Sequence, residues 1–401
     1  MRKTSYAGWL LLLSLVCGGP GAPGLWRGPV PFGAFLLLED LSPKDRLQNF
    51  EKAWKAIRDN YYDPTMNGVN WEEVHARYLP QVQAAAADQD YYAVLNRMAA
   101  ELHDAHTRIL SPEQAERFKH HQNGSLGFSA TIIGDALVVI EVRPDTDAAR
   151  AGVEPGMIVE GMDGKPLAER LKEAAARVQE SSSERATRRL LYATAISGET
   201  GTTATIEFSR ADGSRFQAVI KRDIVPTVVP PVTKLLPSGN AYIRLDSFLP
   251  PSAQQFKEAL GQFPNAPGLI IDLRRNPGGQ QVEVADIAGN FFRDNVELAE
   301  GRRRTGGKVP LRATRDKQGS VYEGPVIVLV GEPSASASEL FAASLQELGR
   351  AKVVGARTCG CVVGNNHPVE LKGGAQVRIS EISWFTLHGR RLEGEGVIPD
   401  K

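Results

Sequence analysis

The chain is poor in cysteine and carries no net charge. It has three cysteines in 401 residues, too few for a disulfide framework, and no set of cysteines and histidines with the spacing of a four-ligand zinc site. Its 47 basic and 47 acidic residues cancel, so nothing draws it generally to nucleic acid or to an anionic membrane. We therefore expect no metal and no nucleic-acid partner. The 39 glycines and 25 prolines favour a loop-rich α+β protein over a helical bundle.

Apolar runs long enough to cross a bilayer are also lacking. Near the N-terminus, two basic residues precede an apolar run from Ala7 to Cys17, which is too short for a span and is followed by small residues. This pattern predicts a signal peptide over residues 1–24 and a linker over 25–41. The protein is then expected to be exported, either periplasmic or secreted. The alternative is a membrane tether through the N-terminus, although the bulky Val16 disfavours lipidation of the cysteine that follows it.

Residues 42–118 have the pattern of a small helical domain. Ser42 and Pro43 are typical of an N-cap followed by a first-turn proline. Apolar residues then recur every three or four positions and predict an amphipathic helix, at Leu47, Phe50, Trp54, Ile57 and Tyr61. A second helix is predicted from about Asp90 to His103, directly before Asp-Ala-His-Thr at 104–107.

Residues 119–223 have the pattern of a small β domain. Apolar runs predict strands at 128–133, 137–142, 204–208 and 216–221. The segment between the second and third strands resembles a PDZ domain of the exported-protease type. Its marks are a small-residue pair, Arg-Ala-Gly, a Pro-Gly turn and an Asp-Gly hairpin, at 148–149, 150–152, 155–156 and 163–164.

The PDZ resemblance implies a peptide-binding function for this domain. Leu126, Gly127 and Phe128 correspond to the carboxylate-binding loop, which offers main-chain N–H groups to a peptide and adds the peptide as a strand. Residues 167–197 form a helical insertion longer than a plain PDZ domain needs.

Residues 224–401 alternate strands and helices, as in an α/β core. An apolar strand at 268–273, buried on both faces by its composition, leads to the tight turn Asn276-Pro-Gly-Gly279. A second apolar strand at 325–330 leads through small residues to a helix at 339–348. The predicted fold class is α+β and multidomain, with a helical domain, a PDZ-like β domain and an α/β core.

The segment Ser334-Ala-Ser-Ala-Ser-Glu339 places hydroxyls at the start of the second of these helices. Unpaired N–H groups at a helix N-terminus can hold an oxyanion. Ser336 is flanked by alanines that leave room for a substrate carbonyl, and the Ala337 N–H lies where an oxyanion would form. The structural alternative is a capping box from Ser336 to Glu339, which contributes about 1 kcal/mol of stability and no chemistry.

Five features, in order along residues 42–401, resemble the tail-specific (C-terminal processing) serine peptidase family, which includes the tricorn core protease. They are Asp-x-His-Thr at 104–107, the PDZ pattern, Asp272–Gly279, Ser334–Glu339 and Glu393–Asp400. The resemblance implies that the core is the peptidase domain and that Ser336 is its nucleophile. It also implies that the oxyanion hole is formed by the N–H of Ala337 and that of Gly278 or Gly279.

The general base is the point at which the chain departs from this family. The processing branch uses a lysine 25 residues after the nucleophile, but this position holds Cys361. The tricorn-like branch uses a histidine and a glutamate, whose positions fall on His106 and Glu393. Imidazole titrates near neutrality, and a carboxylate can fix its tautomer. His367 and His388 are reserve candidates.

Cys361 leaves three alternatives open. Its thiolate could act as base or nucleophile if a cation lowered its pKa. It could instead pair with Cys359 as a disulfide in a very small ring, which would gate the site by redox state. Finally, the chain could be a catalytically degenerate protein that binds peptides without cutting them.

These patterns together predict an exported serine endopeptidase. It would cleave extended or C-terminal protein segments through an acyl-enzyme on Ser336, with the peptide presented by the PDZ-like domain. The expected partner is a protein or peptide substrate, and no cofactor is needed. The alternative function, a peptide-binding scaffold, rests on the missing lysine.

Overall fold

The computed structural model describes residues 41–316, 319, 321–365 and 368–401. The predicted signal peptide, nearly all of the predicted linker, and the reserve candidate His367 lie outside the described residues. The helices are α1 Pro43–Asn60, α2 Trp71–Ala84, α3 Asp88–Ala100, α4 Pro112–Lys119, α5 Asp147–Arg150, α6 Leu167–Ala175, α7 Glu184–Ile196, α8 Ser252–Gly261, α9 Gln281–Ala288 and α10 Ala337–Glu347. Short 3-10 turns occur at Met66–Gly68, Gly289–Phe291 and Lys372–Gly374.

The strands follow the same chain order. They are β1 Arg108–Leu110, β2 Gln122–Ser125, β3 Phe128–Ile133, β4 Ala136–Val142, β5 Ile158–Met162, β6 Lys165–Pro166, β7 Thr203–Ser209, β8 Arg215–Lys221, β9 Asp223–Pro226, β10 Val232–Leu235, β11 Ala241–Arg244, β12 Leu269–Asp272, β13 Glu297–Arg303, β14 Lys308–Arg312, β15 Val326–Val330, β16 Lys352–Gly355, β17 Val363–Asn365, β18 Val369–Glu370, β19 Gln376–Arg378 and β20 Ser380–Thr386. Within the described part of the chain, none of the helices combines the length and the apolar character that a membrane span requires.

Helices α1 to α3 pack around an aromatic core. Ser42 caps α1 by accepting the Asp45 N–H, and the predicted stripe from Phe50 to Tyr61 is buried. The same core is closed by residues from the far end of the sequence, namely Val363, Leu371, Ala375, Val377 and Ile379. These late residues were expected in the peptidase core alone. The helices are therefore sealed by β17 to β19 and by the segments between them.

A six-stranded antiparallel sheet follows. Its order is β3-β4-β5-β7-β8, with β6 paired to β5. Inward residues alternate with outward ones along β7 and β8, as expected of a sheet with one buried face. The predicted helical insertion contains α6 and α7, and it packs on this sheet through Leu167, Ala174, Tyr192 and Ala195. Strand β3 lies at the edge of the sheet.

The α/β core is a five-stranded sheet of order β10-β11-β12-β15-β16. Strands β11, β12, β15 and β16 run parallel, and helices α8 to α10 contribute to the same apolar core. The carboxyl ends of β12 and β15 meet at one edge of the sheet, which is where ligands bind in open parallel sheets. The turn at 276–279 and Ser336 both follow these two ends.

Three smaller antiparallel sheets complete the described fold. The first has the order β14-β13-β20-β17, the second has the order β1-β19-β18, and the third is the pair β2-β9. The second pairs β1, which directly follows the Asp-x-His-Thr segment, with β19 near the C-terminus. This pairing brings His106 to the C-terminal half of the chain.

Candidate active site

Ser336 lies between β15 and α10, at the N-cap of the helix. Its backbone has φ 55° and ψ −117°, a left-handed conformation that non-glycine residues rarely adopt. The Ser336 N–H donates to the carbonyl of Cys361 at 2.9 Å and to the carboxylate of Glu339 at 3.0 Å. Such backbone strain is typical of functional sites because the surrounding contacts must hold it. The side chain is partly exposed at the surface of the site.

The turn at 276–279 lies directly against this serine. A Cβ on Gly278 would come within 2.7 Å of Ser336 Cβ and 2.7 Å of the Ala335 carbonyl oxygen, so only glycine fits there. Asn276 accepts from Ala335 N at 3.2 Å and from Ser338 Oγ at 2.9 Å through its carbonyl oxygen. These bonds fix the turn to the first residues of α10.

The three predicted oxyanion donors are not equivalent. The Gly278 N–H donates to Asn276 Oδ1 at 2.9 Å and is already engaged. Among the described residues, neither the Gly279 nor the Ala337 N–H has an acceptor in the protein. The favoured pair of oxyanion donors is therefore the N–H groups of Gly279 and Ala337. Gly278 has no Cβ and so allows the turn to lie against Ser336.

Glu339 organises the loop that faces the serine. This side chain is fully buried, and each carboxylate oxygen accepts two hydrogen bonds. Oε1 accepts from Thr358 Oγ1 at 2.5 Å and from Gly360 N at 2.7 Å, while Oε2 accepts from Ser336 N and from Cys361 N at 3.0 Å each. The sequence indicated only a capping residue, and the capping box with Ser336 is present. Its link to residues 358–361 could not be read from local spacing.

Cys359 and Cys361 form a disulfide. Both residues are buried, with 2% and 3% exposure, and they pack against Ala335, Ala186 and Ala105. Of the sequence-based alternatives for Cys361, the paired state is the one present. In this state Cys361 has no thiol and cannot accept a proton.

His106 follows a carboxylate that shapes its segment. Asp104 is buried and accepts from the N–H groups of His106 and Thr107 at 2.7 Å each, from Thr107 Oγ1 at 2.7 Å and from Ser380 Oγ at 2.9 Å. Burial lowers the pKa of His106 to about 4, although the charge of Asp104 opposes the shift. The imidazole is therefore neutral at pH 7, the form that a general base requires. Its neighbour Ala105 packs against the cluster of Ala335 and the disulfide.

Glu393 is buried beside the same loop. Its carboxylate accepts the Val362 N–H, and burial raises the pKa of Glu393 to about 7, with partial opposition from the Ser182 hydroxyl. Ser182 Oγ also accepts the Ala105 N–H at 2.9 Å. Ser182 thus connects the histidine segment to Glu393.

A residue from α7 and one just before it complete this part of the site. Ser183 Oγ donates to the Cys359 carbonyl, and Arg185 Nε donates to the Thr358 carbonyl at 2.7 Å. The sequence indicated only a helical insertion over this stretch and assigned no site residue to it. No local signal marks it, because its partners lie more than 170 residues away in sequence.

The reserve candidate His388 lies elsewhere. Its Nδ1 is 3.4 Å from Glu347 Oε2, and its side chain is 75% exposed. Glu347 ends α10, and Ser336 caps the other end, so about 15 Å of helix separates them. His388 cannot reach the Ser336 hydroxyl from this position.

The predicted peptide-binding residues are placed at the start of the edge strand. Leu126 and Phe128 are buried, and Gly127 has φ 80°. The Gly127 N–H donates to Ser125 Oγ at 3.0 Å, and its carbonyl accepts the Arg143 N–H at 2.8 Å. A peptide strand would therefore have to pair with the free edge of β3, beyond this glycine.

The raised pKa of Glu393 predicts how stability depends on pH. Between pH 4.5, the ordinary pKa of a glutamate, and about pH 7, the folded chain keeps the Glu393 carboxyl protonated while the unfolded chain loses this proton. The free energy of unfolding therefore falls as pH rises through this window, by at most about 3 kcal/mol. We expect Glu393→Gln to remove this loss.

The measurement is the difference in free energy of unfolding between variant and wild type, from urea titrations at pH 5 and pH 8. The lowered pKa of His106 makes the free energy of unfolding rise with pH, but it does so equally in wild type and variant. The difference between the two proteins therefore reports on Glu393 alone. If the stability of Glu393→Gln relative to wild type does not increase from pH 5 to pH 8, the raised pKa of Glu393 is contradicted.

Comparison with family profiles gives two matches. Residues 239–401 match Peptidase family S41, and residues 42–100 match the Tricorn protease C1 domain. Among curated proteins, the chain is 28% identical over 366 residues to the Carboxyl-terminal-processing protease of Picosynechococcus sp., covering 87% of this chain and 81% of that one. It is 26% identical over 372 residues to the chloroplastic Carboxyl-terminal-processing peptidase 3 of Arabidopsis thaliana, covering 87% and 67%.

Solved structures show the same fold. The photosystem II D1 C-terminal processing protease aligns with a TM-score of 0.61 at 23% identity, covering 88% of this chain and 92% of that one. Mature CPAF aligns with a TM-score of 0.65 at 14% identity, covering 89% and 92%. At these identities the likeness establishes the architecture, and the chemistry depends on the side chains described above.

Proposed function

We propose, from the premise that this chain belongs to peptidase family S41, that it is an endopeptidase cleaving extended or C-terminal protein segments through an acyl-enzyme on Ser336. Membership makes the chain a serine-type peptidase, a hydrolase. The observation that carries the assignment to Ser336 is its strained N-cap position directly against Gly278. The neighbouring N–H groups of Gly279 and Ala337 have no acceptor within the described protein.

The reaction follows from this arrangement. Ser336 Oγ attacks the peptide carbonyl, and the developing oxyanion receives hydrogen bonds from Gly279 and Ala337. The neutral imidazole of His106 takes the hydroxyl proton and returns it to the leaving amine. Water then attacks the acyl-enzyme with the same histidine as base. A donor of this kind contributes about 10²–10³ in kcat in other hydrolases.

Glu393 is assigned to the orientation of the imidazole. It is held by the Val362 N–H and lies beside Ser182, which binds the main chain next to His106. A carboxylate in this position would fix the tautomer and stabilise the imidazolium that forms. Its pKa of about 7 makes it partly ionised under neutral conditions.

Presentation of the substrate is assigned to the β3 sheet. Its edge strand begins with Leu126, Gly127 and Phe128, and an extended peptide can add to such an edge through main-chain hydrogen bonds. Helix α7 of the same domain follows Ser183, which binds the disulfide loop, so the peptide-presenting domain and the cleft are in contact. Export is proposed from the N-terminal pattern alone.

The test combines a probe with two histidine variants. A fluorophosphonate should label Ser336, and His106→Ala should reduce labelling and peptide turnover by about 10²–10⁴-fold because the general base is lost. His388→Ala is the matched control, since His388 is exposed and held by Glu347; its rates should equal those of wild type. Turnover of His106→Ala at the wild-type rate would remove the histidine from the mechanism.

A second function is favoured by one observation. The position of the family's lysine is occupied by a disulfide, which offers no proton acceptor. If Ser336 resists the fluorophosphonate both with the disulfide intact and after reduction, the chain is a peptide-binding scaffold that retains the fold of a peptidase.

A further inference from the structure

Two arginines are held side by side next to the proposed base. Arg108 on β1 and Arg378 on β19 are direct partners in the antiparallel register. Like charges directly opposite each other across a sheet are destabilising. The pairing of β1 with β19 therefore holds the two arginines together despite the repulsion between their charges.

The two arginines form no ion pair with an acidic side chain in the described part of the chain. Among the described residues, neither guanidinium has an ion-pair partner, in contrast to Arg46, which is paired with Asp88. The acid that acts on Arg108 is Asp104, whose oxygens are already engaged by Thr107, Ser380 and the His106 N–H. Burial lowers the pKa of Arg378, and the positive charge of Arg108 lowers it further.

An aromatic ring fixes both guanidinium groups. Arg378 Cζ lies 4.3 Å and Arg108 Cζ lies 5.7 Å from the ring centroid of Phe118 on α4. Stacking on a ring holds a guanidinium by its face and leaves its N–H edge free for a planar acceptor. Arg108 and Phe118 are exposed and Arg378 is partly buried, so a ligand can reach the pair from the Arg108 side.

The pair adjoins the proposed catalytic groups. Arg108 is two residues from His106, and both arginine charges act on that imidazole. Ala105 packs against the cluster that contains the disulfide and Ala335, the residue before the proposed nucleophile. The main chain from Ala105 to Arg108 spans at most about 10 Å, which corresponds to about three residues of an extended substrate at about 3.3 Å each.

We propose that Arg108 and Arg378 form a subsite that binds a carboxylate of the peptide substrate, a few residues from the bond that is cut. The carboxylate is either an acidic side chain or the terminal carboxyl group of the substrate, since the two present the same planar acceptor. The proposal rests on the proposed function for the placement of the substrate, and it adds a preference for acidic chains.

The test measures binding in a chain that cannot cut. The Ser336→Ala variant is titrated with fluorescent Ala/Leu decapeptides, and binding is followed by anisotropy. In one series a single Glu is placed at each position in turn and compared with Gln at that position. In a second series the C-terminal acid is compared with the C-terminal amide. We expect about 10- to 100-fold tighter binding for one form of carboxylate, the range of a charge-assisted bidentate contact. The position that shows the effect identifies its source, side chain or terminus.

Removal of either guanidinium should abolish this preference. Arg378→Gln and Arg108→Gln are expected to bring the acid-to-amide ratio close to one, and Arg378→Lys should retain part of it because charge remains without the planar fork. Arg210→Gln is the matched control, because Arg210 stacks on Phe216 at the same 4.3 Å in the six-stranded sheet. It should keep the wild-type ratio.

Two outcomes separate this proposal from the proposed function. If the acid-to-amide ratio is unaffected by both glutamine variants while their thermal unfolding shows folded protein, the carboxylate subsite is wrong. If wild type fails to react with fluorophosphonate but the arginine variants still lose the preference, the subsite stands and the peptidase mechanism fails.

Discussion

Ser336→Ala is expected to lower kcat/KM for peptide hydrolysis by at least about 10³-fold, because it removes the hydroxyl on which the proposed acyl-enzyme forms. KM should change little, since the alanine leaves the cleft and its N–H groups in place. Labelling by fluorophosphonate should be lost with the activity. The measurement is steady-state hydrolysis together with intact mass after probe treatment.

Ser336→Gly should separate chemistry from stability. The serine has φ 55°, and glycine adopts this conformation without steric cost. We expect this variant to be inactive and yet more stable than wild type by about 1 kcal/mol, the cost of holding a non-glycine residue there. A glycine variant less stable than the alanine variant would contradict the strain at this position.

Ser338→Ala serves as the control for both substitutions. This serine is buried two positions further along α10 and donates to the Asn276 carbonyl at 2.9 Å. Its loss should cost about 1–2 kcal/mol of stability because a buried acceptor loses a partner. Activity should survive, so the two serines are expected to give opposite patterns.

Glu339→Ala is expected to be the most destabilising single substitution at the site, by roughly 3–5 kcal/mol. It removes the acceptor of four buried donors, on Ser336, Thr358, Gly360 and Cys361. Glu339→Gln preserves the side-chain volume but presents an NH₂ group to two of these donors. We expect it to lower the free energy of unfolding by about 1–3 kcal/mol. Urea unfolding monitored by tryptophan fluorescence measures both.

The same helix offers a matched glutamate. Glu347 at the end of α10 is near the surface and contacts His388 and Arg390 at 3.4 and 3.9 Å. Glu347→Gln should cost less than about 1 kcal/mol, because its partner His388 is largely exposed and the amide keeps the volume of the side chain. If Glu339→Gln proves as mild as this control, the carboxylate does not hold the loop.

The sequence indicated the strands and helices of the core well because their signals are local. The apolar run at 325–330 and the small residues after it led to β15, Ser336 and α10 with small errors at the ends. The turn at 276–279 was likewise predicted, since consecutive glycines mark a close approach. The resemblance to a known family supplied the roles that local pattern could not.

What the sequence could not provide were contacts between distant segments. The core of the N-terminal helices is closed by Val363 to Ile379, and this depends on β1 pairing with β19. Ser182 and Ser183 reach the site only because the sheet that carries α7 docks beside the 358–361 loop. Neither spacing nor composition encodes such docking, and Arg108 and Arg378 became neighbours for the same reason.

The sulfur bridge has a practical consequence for inhibitor classification. While Cys359 and Cys361 are bonded to each other and shielded from solvent, alkylating reagents such as iodoacetamide have no thiol to attack at this site. Cleavage that survives iodoacetamide and stops with a fluorophosphonate is then the inhibition pattern expected of the proposed serine mechanism. The same chain treated with a phosphine would expose two new carbamidomethylation sites in its tryptic map, one on each side of Gly360.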